Sequence, residues 1–556
     1  MIHSVTTALL SVSLICLAGC GDSPPEPFRA KIAKDTLRDE AQARGLVRIA
    51  QSGGREKVEI LENLGTGIAV FDANGDGRLD IFVANSGSVE GDRIVDGPGN
   101  ALYVQGELGM FKDETRARGL ESRRFCTGVA VGDIEGDGDL DLFIACYGVN
   151  LLYVNLGDRF EDRAFAAGIR DESFSSSAEF LDYDGDGNLD LYVANYVKFD
   201  IAKERPKCEQ HDVRIPCGPG FFEPAADHLY RGRGDGTFEE RSQATGIAGA
   251  PGAYGLGVAA ADFDSDGRTD IYVANDTTMN FLFRNRGNGT FEDVALFSGC
   301  AVSGEGQGQA GMGVAIGDPS GDGRFDILVT NFSREDNTLY RSTSAGVFED
   351  ASNEFGLSGG ASFRALGWGC AFADFDLDGD EDLVIGNGHV YRSASEVDSD
   401  DTYEQHCVLR ELSAGRYADR IEFGPKRSYR CLVSSDLDGD GDPDLLASAQ
   451  DQPTAAFYRQ GQPTPSSWLR VRLRGVRSNR EGIGAVVELA LDDRKLVRRI
   501  SRGAGYLGAR DATAHFGTGG RPLKSLTIRW PSGAIDRISN VAPGQEILIT
   551  EGQSGD

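Results

Sequence analysis

The chain has 556 residues, 74 of them glycine, and 87 acidic against 56 basic side chains give a formal net charge of −31. A charge of that sign and size excludes non-specific binding to a phosphate backbone. The length exceeds one ordinary domain, although a large ring of repeats can absorb most of it.

Residues 1 to 20 read as a secretory signal. Val5 to Leu17 is apolar but too short to cross a membrane as a helix. It ends in Leu17-Ala-Gly-Cys20, which is similar to a bacterial lipobox and makes Cys20 the expected lipidated residue of an exported lipoprotein. The alternative is an ordinary signal with an incidental Cys. The region before the apolar run carries His3 and no Lys or Arg. Residues 20–35 then form a polar, Pro-rich tether. The expected location is an outer membrane or the cell surface.

From residue 36 to 462 the chain repeats itself around one stretch, Asp182-Tyr-Asp-Gly-Asp-Gly-Asn-Leu-Asp190, followed by Leu-Tyr-Val-Ala-Asn195. Acidic side chains stand at positions 1, 3, 5 and 9 of a Gly-containing loop. Oxygen donors this dense suit Ca²⁺, which accepts about six to eight of them in flexible geometry. The EF-hand pattern begins alike but needs Glu at position 12 and flanking helices. Here position 12 is Val193, inside a strand pattern.

Six more copies occur, starting 49 to 80 residues apart. The expected ligands are Asp72, Asn74, Asp76 and Asp80 in the first loop, and Asp133, Glu135, Asp137 and Asp141 in the second. The third and fourth supply Asp182, Asp184, Asp186, Asp190 and Asp262, Asp264, Asp266, Asp270. Asp318, Ser320, Asp322 and Asp326 follow, then Asp374, Asp376, Asp378 and Asp382, and lastly Asp436, Asp438, Asp440 and Asp444. The carbonyl of position 7 adds an oxygen, for up to seven Ca²⁺ ions. The fifth loop departs most, with Pro319 and Ser320 at positions 2 and 3, and is expected to bind weakest. The ligand positions of these loops hold 26 of the 87 acidic residues. Every polar side chain at these positions is a ligand and none is left as a base, so the expected role of the metal is structural.

Between the loops runs N-x-L-Y/F-x-N-x-G-x-G-x-F-x-D, as in Asn280 to Asp293. This is two more strands joined by a Gly turn. Four strands per unit is the count of a propeller blade. The last unit ends at Ala455-Ala-Phe-Tyr-Arg459 without its F-x-D strand, and Leu37-Arg-Asp39 is a spare one. The prediction is an all-β, seven-bladed propeller over 36–462, with the N-terminal strand closing the last blade. An open solenoid would need capping repeats instead.

If the acidic loops share one face, the long insertions 86–99, 196–227 and 387–406 lie on the other. Phe125, Tyr254, Arg364, Trp368 and His389 then fall near the central mouth as candidates for a ligand site. Cys208 with Cys217, in one Pro-rich loop, and Cys126 with Cys146, flanking one hairpin, are the favoured disulfides. Cys407 with Cys431, and Cys300 with Cys370, are further pairings. The spacing around His211 matches no zinc pattern.

After Gln462-Pro-Thr-Pro465 the composition changes: residues 466–552 contain 15 Lys/Arg and 8 Asp/Glu. Leu469, Val471 and Leu473 alternate with Arg470, Arg472 and Arg474, a strand with one apolar and one basic face. Further strands are expected near 484–490, 496–502, 523–529 and 546–550, making a small β-sandwich. Its basic face either docks on the acidic propeller or meets an anionic partner such as acidic glycan or lipid headgroups.

The acidic loops resemble FG-GAP or VCBS repeats, the units of the integrin α-chain propeller. The C-terminal region resembles the ASPIC/UnbV domain through Trp468 to Arg474, Ser478-Asn-Arg480, Gly482-Ile-Gly-Ala485, Gly503-Ala-Gly-Tyr-Leu507, His515-Phe-Gly517 and Trp530-Pro-Ser-Gly533. Together these look like the cartilage acidic protein family from about residue 36 to 552, without the EGF-like module that some animal members have. The resemblance implies a secreted or surface-anchored calcium-binding propeller and no established chemistry. The chain shows no H-E-x-x-H or P-loop motif. Two readings follow. One is a binding or adhesion module for an extracellular protein or a glycan. The other is a propeller enzyme, a carbohydrate lyase or dehydratase, with its site in the central mouth. The first is favoured because repeats dominate and catalytic motifs are missing.

Overall fold

The strand entering each loop is built from small and β-branched residues, as in Gly67-Ile-Ala-Val-Phe71, and the strand leaving it is equally apolar, as in Ile81-Phe-Val-Ala84. Such strands suit a sheet covered on both faces. In a computed structural model, which describes residues 32, 36–359, 363–418, 420–460, 463–464 and 467–553, they form the inner half of seven four-stranded antiparallel sheets. The first contains Ile68–Phe71, Asp80–Val83, Ala101–Gln105 and Phe111–Asp113 in that order. In the last, Tyr429–Ser435, Asp444–Ala449 and Ala455–Arg459 are completed by Leu37–Asp39, with Leu37 opposite Arg459 and Asp39 opposite Phe457.

The innermost strands touch their neighbours in chain order, and the last touches the first. Side-chain amides at the end of the third strands reach the loop of the preceding sheet. Asn155 donates to the Ala73 carbonyl at 3.2 Å and Asn285 to Tyr183 at 2.7 Å; Gln105 does the same across the closure, to Leu437 at 2.7 Å. The sixth sheet is irregular. Its outer strand is Ile421–Arg427, and Tyr417, which the repeat pattern marks as the strand start, sits in a small hairpin opposite Leu412.

The C-terminal region forms a three-stranded sheet (Thr513–Gly517, Trp468–Arg474, Glu546–Thr550) and a four-stranded one (Lys495–Arg499, Val486–Leu491, Leu523–Arg529, Ile535–Ser539). Leu469, Val471 and Leu473 are buried among Val487, Leu489, Phe516 and Ile528, while Arg472 and Arg474 are exposed. The same apolar cluster continues into Phe143, Phe180 and Leu191 of the second and third propeller sheets. No helix among the described residues is long and apolar enough to cross a membrane.

The segment Gly503 to Ala509 enters the centre of the ring. Ala509 exchanges backbone hydrogen bonds with Ile68 and Val70 of the first sheet, both at 2.9 Å. Val129 of the second donates to the Leu507 carbonyl at 3.1 Å, and Val258 of the fourth to Gly505 at 3.1 Å. Leu507 donates to the Ser177 hydroxyl of the third at 2.9 Å. The Tyr506 ring lies 5.3 Å from Trp368 of the sixth sheet, and its hydroxyl donates to the Leu64 carbonyl at 2.8 Å. Gly508 faces Cys431 of the seventh. The segment therefore fills the channel and pairs backbone groups that the innermost strands would otherwise leave unsatisfied.

Gly505 has φ +74°, and a Cβ there would lie 1.7 Å from the Val314 carbonyl of the fifth sheet. Gly505→Ala is expected to destabilise the protein by about 3 kcal/mol. Gly415→Ala, at φ +73° with nothing within 4 Å, is the control for backbone strain alone. Denaturation curves showing equal losses for the two variants would mean that the segment is not seated in the ring.

Candidate metal centres

Each acidic loop is a nine-residue turn wrapped around its first aspartate. One oxygen of the position 1 carboxylate accepts the N–H of the position 6 Gly in all seven loops, at 2.7–3.1 Å. That Gly has φ between +85° and +103° throughout, a conformation in which a Cβ clashes with the backbone. Position 4 is left-handed too, and there Ser265 and Leu377 replace Gly in two loops, at φ +60° and +61°.

Position 9 does more than the ligand pattern implies. One oxygen of its carboxylate accepts the N–H of position 2, at 2.9–3.2 Å in six loops. The other accepts an N–H from the third strand of the sheet in six, and from Leu412 just beyond it in the sixth sheet, at 2.8–3.1 Å. Pro319 has no N–H to give, so in the fifth loop Asp326 takes that of Ser320 at 3.3 Å.

Positions 1, 3 and 9 converge. Carboxylate oxygens of Asp182, Asp184 and Asp190 lie within 4.8 Å of one another, as do those of Asp262, Asp264 and Asp270, of Asp374, Asp376 and Asp382, and of Asp436, Asp438 and Asp444. Position 5 is not in these groups. One of its oxygens accepts the N–H of position 7 in every loop, at 2.9–3.1 Å. The other pairs with the position 7 side chain where that is Arg78, Arg268 or Arg324, and with Arg231 at Asp186. These arginines were legible as charges at position 7, but their partner was not.

Burial pushes every position 9 carboxyl up, with neighbouring carboxylates adding to it. Asp326 rises to about 6, Asp80 to about 7, and Asp141 and Asp270 to about 8, while Asp190, Asp382 and Asp444 stand well above the usual range. Crowded, desolvated carboxylates with no sulfur or imidazole among them fit a hard divalent cation.

The C-terminal domain sits on this loop face. Arg470 donates to Asp436 at 2.8 Å, Arg494 to the Asp378 carbonyl at 2.6 Å, and His515 Nε2 lies 2.9 Å from the Gly441 carbonyl. Arg498 pairs with Glu381 at 3.2 Å. A cleft of about 370 Å³ remains between Asp72, Asp133 and Asp436 on one side and Arg470, Arg474 and Arg480 on the other.

The candidate mouth residues do not line an open mouth. Phe125, Trp368 and His389 are 1 %, 2 % and 1 % exposed. Trp368 donates its indole N–H to the Gly388 carbonyl at 2.7 Å and stacks under the Arg430 guanidinium, 4.1 Å away. Burial lowers His389 to about 3, so it is neutral at pH 7. Tyr254 is half-buried and donates to the Phe222 carbonyl, and exposed Arg364 pairs with Asp400. The physical reason is the inserted segment: Trp368 packs on its Tyr506, Phe125 shares a core cluster with its Leu507, and the sequence gives no sign that the channel is filled.

On the opposite face the insertions meet. Arg205 donates to the Gly91 carbonyl at 2.6 Å and pairs with Glu59 at 3.1 Å, and His211 Nδ1 lies 3.0 Å from the Val397 carbonyl. Disulfides join Cys126 to Cys146 and Cys208 to Cys217. Cys300, Cys370, Cys407 and Cys431 are free and buried, so the two further pairings do not form. Cys20 lies outside the described residues.

The FG-GAP-like repeat family matches residues 72–144, 133–193, 221–273, 262–329 and 318–385, and the ASPIC and UnbV family matches 475–556. Cartilage acidic protein 1 of Homo sapiens is 32 % identical over 307 residues, covering 53 % of this chain and 44 % of its own length. The Mus musculus protein of that name is 33 % identical over 291 residues, covering 50 % and 42 %. The match thus spans less than half the length of these relatives. A lectin of Agrocybe aegerita that recognises non-reducing terminal N-acetylglucosamine has a similar fold, with TM-score 0.39, 14 % identity and coverage of 87 % of this chain and 99 % of its own. A rhamnogalacturonan lyase of Bacillus licheniformis has TM-score 0.36, 14 % identity and coverage of 76 % and 75 %. Likenesses this distant concern fold alone.

Two outcomes are expected. Position 9 carboxyls with raised pKa values hold more protons folded than unfolded, so metal-free stability is greatest below about pH 4 on their account and falls as pH rises to 8. Divalent metal binds the ionised form and should reverse that trend, as melting temperatures from pH 5 to 8 with and without EDTA will show. Asp190→Ala strands two buried N–H groups and should cost about 2–4 kcal/mol even in EDTA. Asp184→Ala should cost little there and act only when metal is present.

Proposed function

Since the chain belongs to the FG-GAP-like repeat family and carries an ASPIC and UnbV domain at its C-terminal end, we propose that it is an exported, calcium-stabilised propeller that binds an extracellular protein or a glycan. The observation that carries this reading is the division of its two faces. The C-terminal domain occupies the loop face and the channel, whereas insertions 86–99, 196–227 and 387–406 converge on the free face. Arg205, bridging Glu59 and Gly91, ties two of them together. The disulfide hairpin of the second insertion presents exposed, charged residues, and Phe221 beside it is 65 % exposed. Aromatic and charged groups on ordered loops are the usual material of a recognition surface.

Calcium in the loops would neutralise the crowded carboxylates and stabilise the folded ring by binding it and not the unfolded chain. Positions 1, 3 and 9 would hold the ion, with the position 7 carbonyl as a further donor. A lipid on Cys20 would hold the protein at a membrane, an outer membrane or the cell surface, through residues 20–35. The alternative, a carbohydrate lyase or dehydratase working in the central mouth, requires a channel that residues 503–509 fill.

The test is a screen of immobilised glycans and extracellular proteins against the soluble chain lacking residues 1 to 20, with calcium or with EDTA. The expected result is a calcium-dependent partner whose binding weakens at least about tenfold, some 1.4 kcal/mol, when the Cys208–Cys217 loop is replaced by a short Gly-Ser link. Undiminished binding by that variant, or turnover of a sugar in the screen, would overturn the reading.

A further inference from the structure

Beside the inserted segment the C-terminal domain and the ring enclose a second, smaller space of about 100 Å³. Four of its wall residues carry donors that the protein does not satisfy. Arg499 is 9 % exposed; one terminal nitrogen donates to the Ala260 carbonyl and lies 3.6 Å from Glu179, yet its Nε has no partner. Arg498 uses its Nε on Glu381 and the His515 carbonyl, both at 3.2 Å, and leaves Nη2 unpaired. Ser435, 6 % exposed on the innermost strand of the seventh sheet, has an unpaired hydroxyl. Arg510 lies in the field of Asp511, Glu381 and Glu179, but among the described residues its guanidinium makes no ion pair and no hydrogen bond.

The carboxylates of the same wall are already committed. Glu381 holds Arg498, Asp436 holds Arg470, and Asp374 accepts the N–H groups of Asp378 and Gly379. Arg510 is the charge left over. A half-buried guanidinium without a counter-charge attracts an anion, and the buried unpaired donors beside it add to that pull. The space equals about three waters at roughly 30 Å³ each, enough for a small oxyanion.

We propose that this space is a binding site for a small oxyanion of the sulfate or phosphate class. Arg510 lines it, the paired N–H groups of a guanidinium fork match two oxygens of such an ion, and Arg498 Nη2, Arg499 Nε and Ser435 Oγ would complete the shell. Ser435 belongs to the ring and the three arginines to the C-terminal domain, so the ion bridges the two.

The probe is sulfate, which stays soluble with calcium, titrated calorimetrically into the calcium-loaded chain lacking residues 1 to 20 against a fixed chloride background. The expected result is saturable binding of one sulfate, a higher melting temperature, and affinity at least about tenfold weaker in Arg510→Met. Crystals grown with selenate should show its anomalous signal between Arg510 and Ser435, which keeps the test decisive if Arg510→Met does not fold. Absence of saturable binding, binding unchanged in Arg510→Met, or only water in the space overturns the proposal.

Discussion

The ninth residue of every loop is an aspartate whose two oxygens take two N–H groups, one from its own loop and one from the third strand of its sheet or, in the sixth, from Leu412 just past that strand. That pair of bonds sets the angle at which the inner hairpin meets the rest of the sheet. Because the group is buried, each bond is electrostatically stronger than it would be in water. The same burial makes the negative charge unfavourable, and the carboxylates at positions 1 and 3 make it more so. The loops are therefore held together by groups whose charge they cannot easily tolerate alone. A divalent cation resolves that conflict without displacing the bonds, since each carboxylate oxygen has a further lone pair to give.

Positions in the loop divide the work. Position 1 shapes the turn by binding backbone N–H groups across it, and position 6 has to be Gly to present one of them. Position 5 stiffens the exit of the loop through the position 7 N–H, and in four loops an arginine covers its remaining charge. Position 3 bonds backbone only within the loop, accepting the position 5 N–H in the first, third and sixth copies, and among the described residues takes no backbone N–H from the sheet, which leaves it the least structural work besides holding metal. The fifth loop carries Ser320 at that position and Asn74 stands there in the first, so metal occupancy and structural integrity are separable from loop to loop.

Much of this was legible because it is local. Carboxylates two residues apart, Gly between them and alternating apolar strands on either side lie within about fifteen residues, and seven copies in one register make the ring. The spare Leu37–Asp39 strand was readable from the missing partner of Ala455–Arg459. What escaped depends on distant pairs. Gly503 to Ala509 has no periodicity of its own, and its partners lie near residues 68, 129, 177, 258, 314, 368 and 431. Phe125 and Trp368 read as mouth residues only while the channel is thought empty. Whether Cys407 meets Cys431 depends on a Cα separation that sequence does not encode. Thr513–Gly517 and Ile535–Ser539 are short strands whose burial comes from facing sheets.

The filled channel also relocates function. Inner strands of a ring expose backbone groups to the channel; here the backbone of Gly505, Leu507 and Ala509 pairs with those of the first, second and fourth sheets, the glycines and alanines allow that close approach, and the Tyr506 ring fills the space beside Trp368. Arginines around residues 503–509 then match the acidic loops, so Arg470, Arg494, Arg498 and Arg499 are spent on carboxylates of the ring and only the pocket at Arg510 keeps a charge for an outside anion. The free face is organised differently. The Cys208–Cys217 bridge closes one insertion on itself, and Arg205 and His211 tie that insertion to the other two through contacts that need no metal. Loss of metal would reach that surface only through the ring beneath it, so recognition there depends on the loops at one remove, by way of the strands that join the two faces.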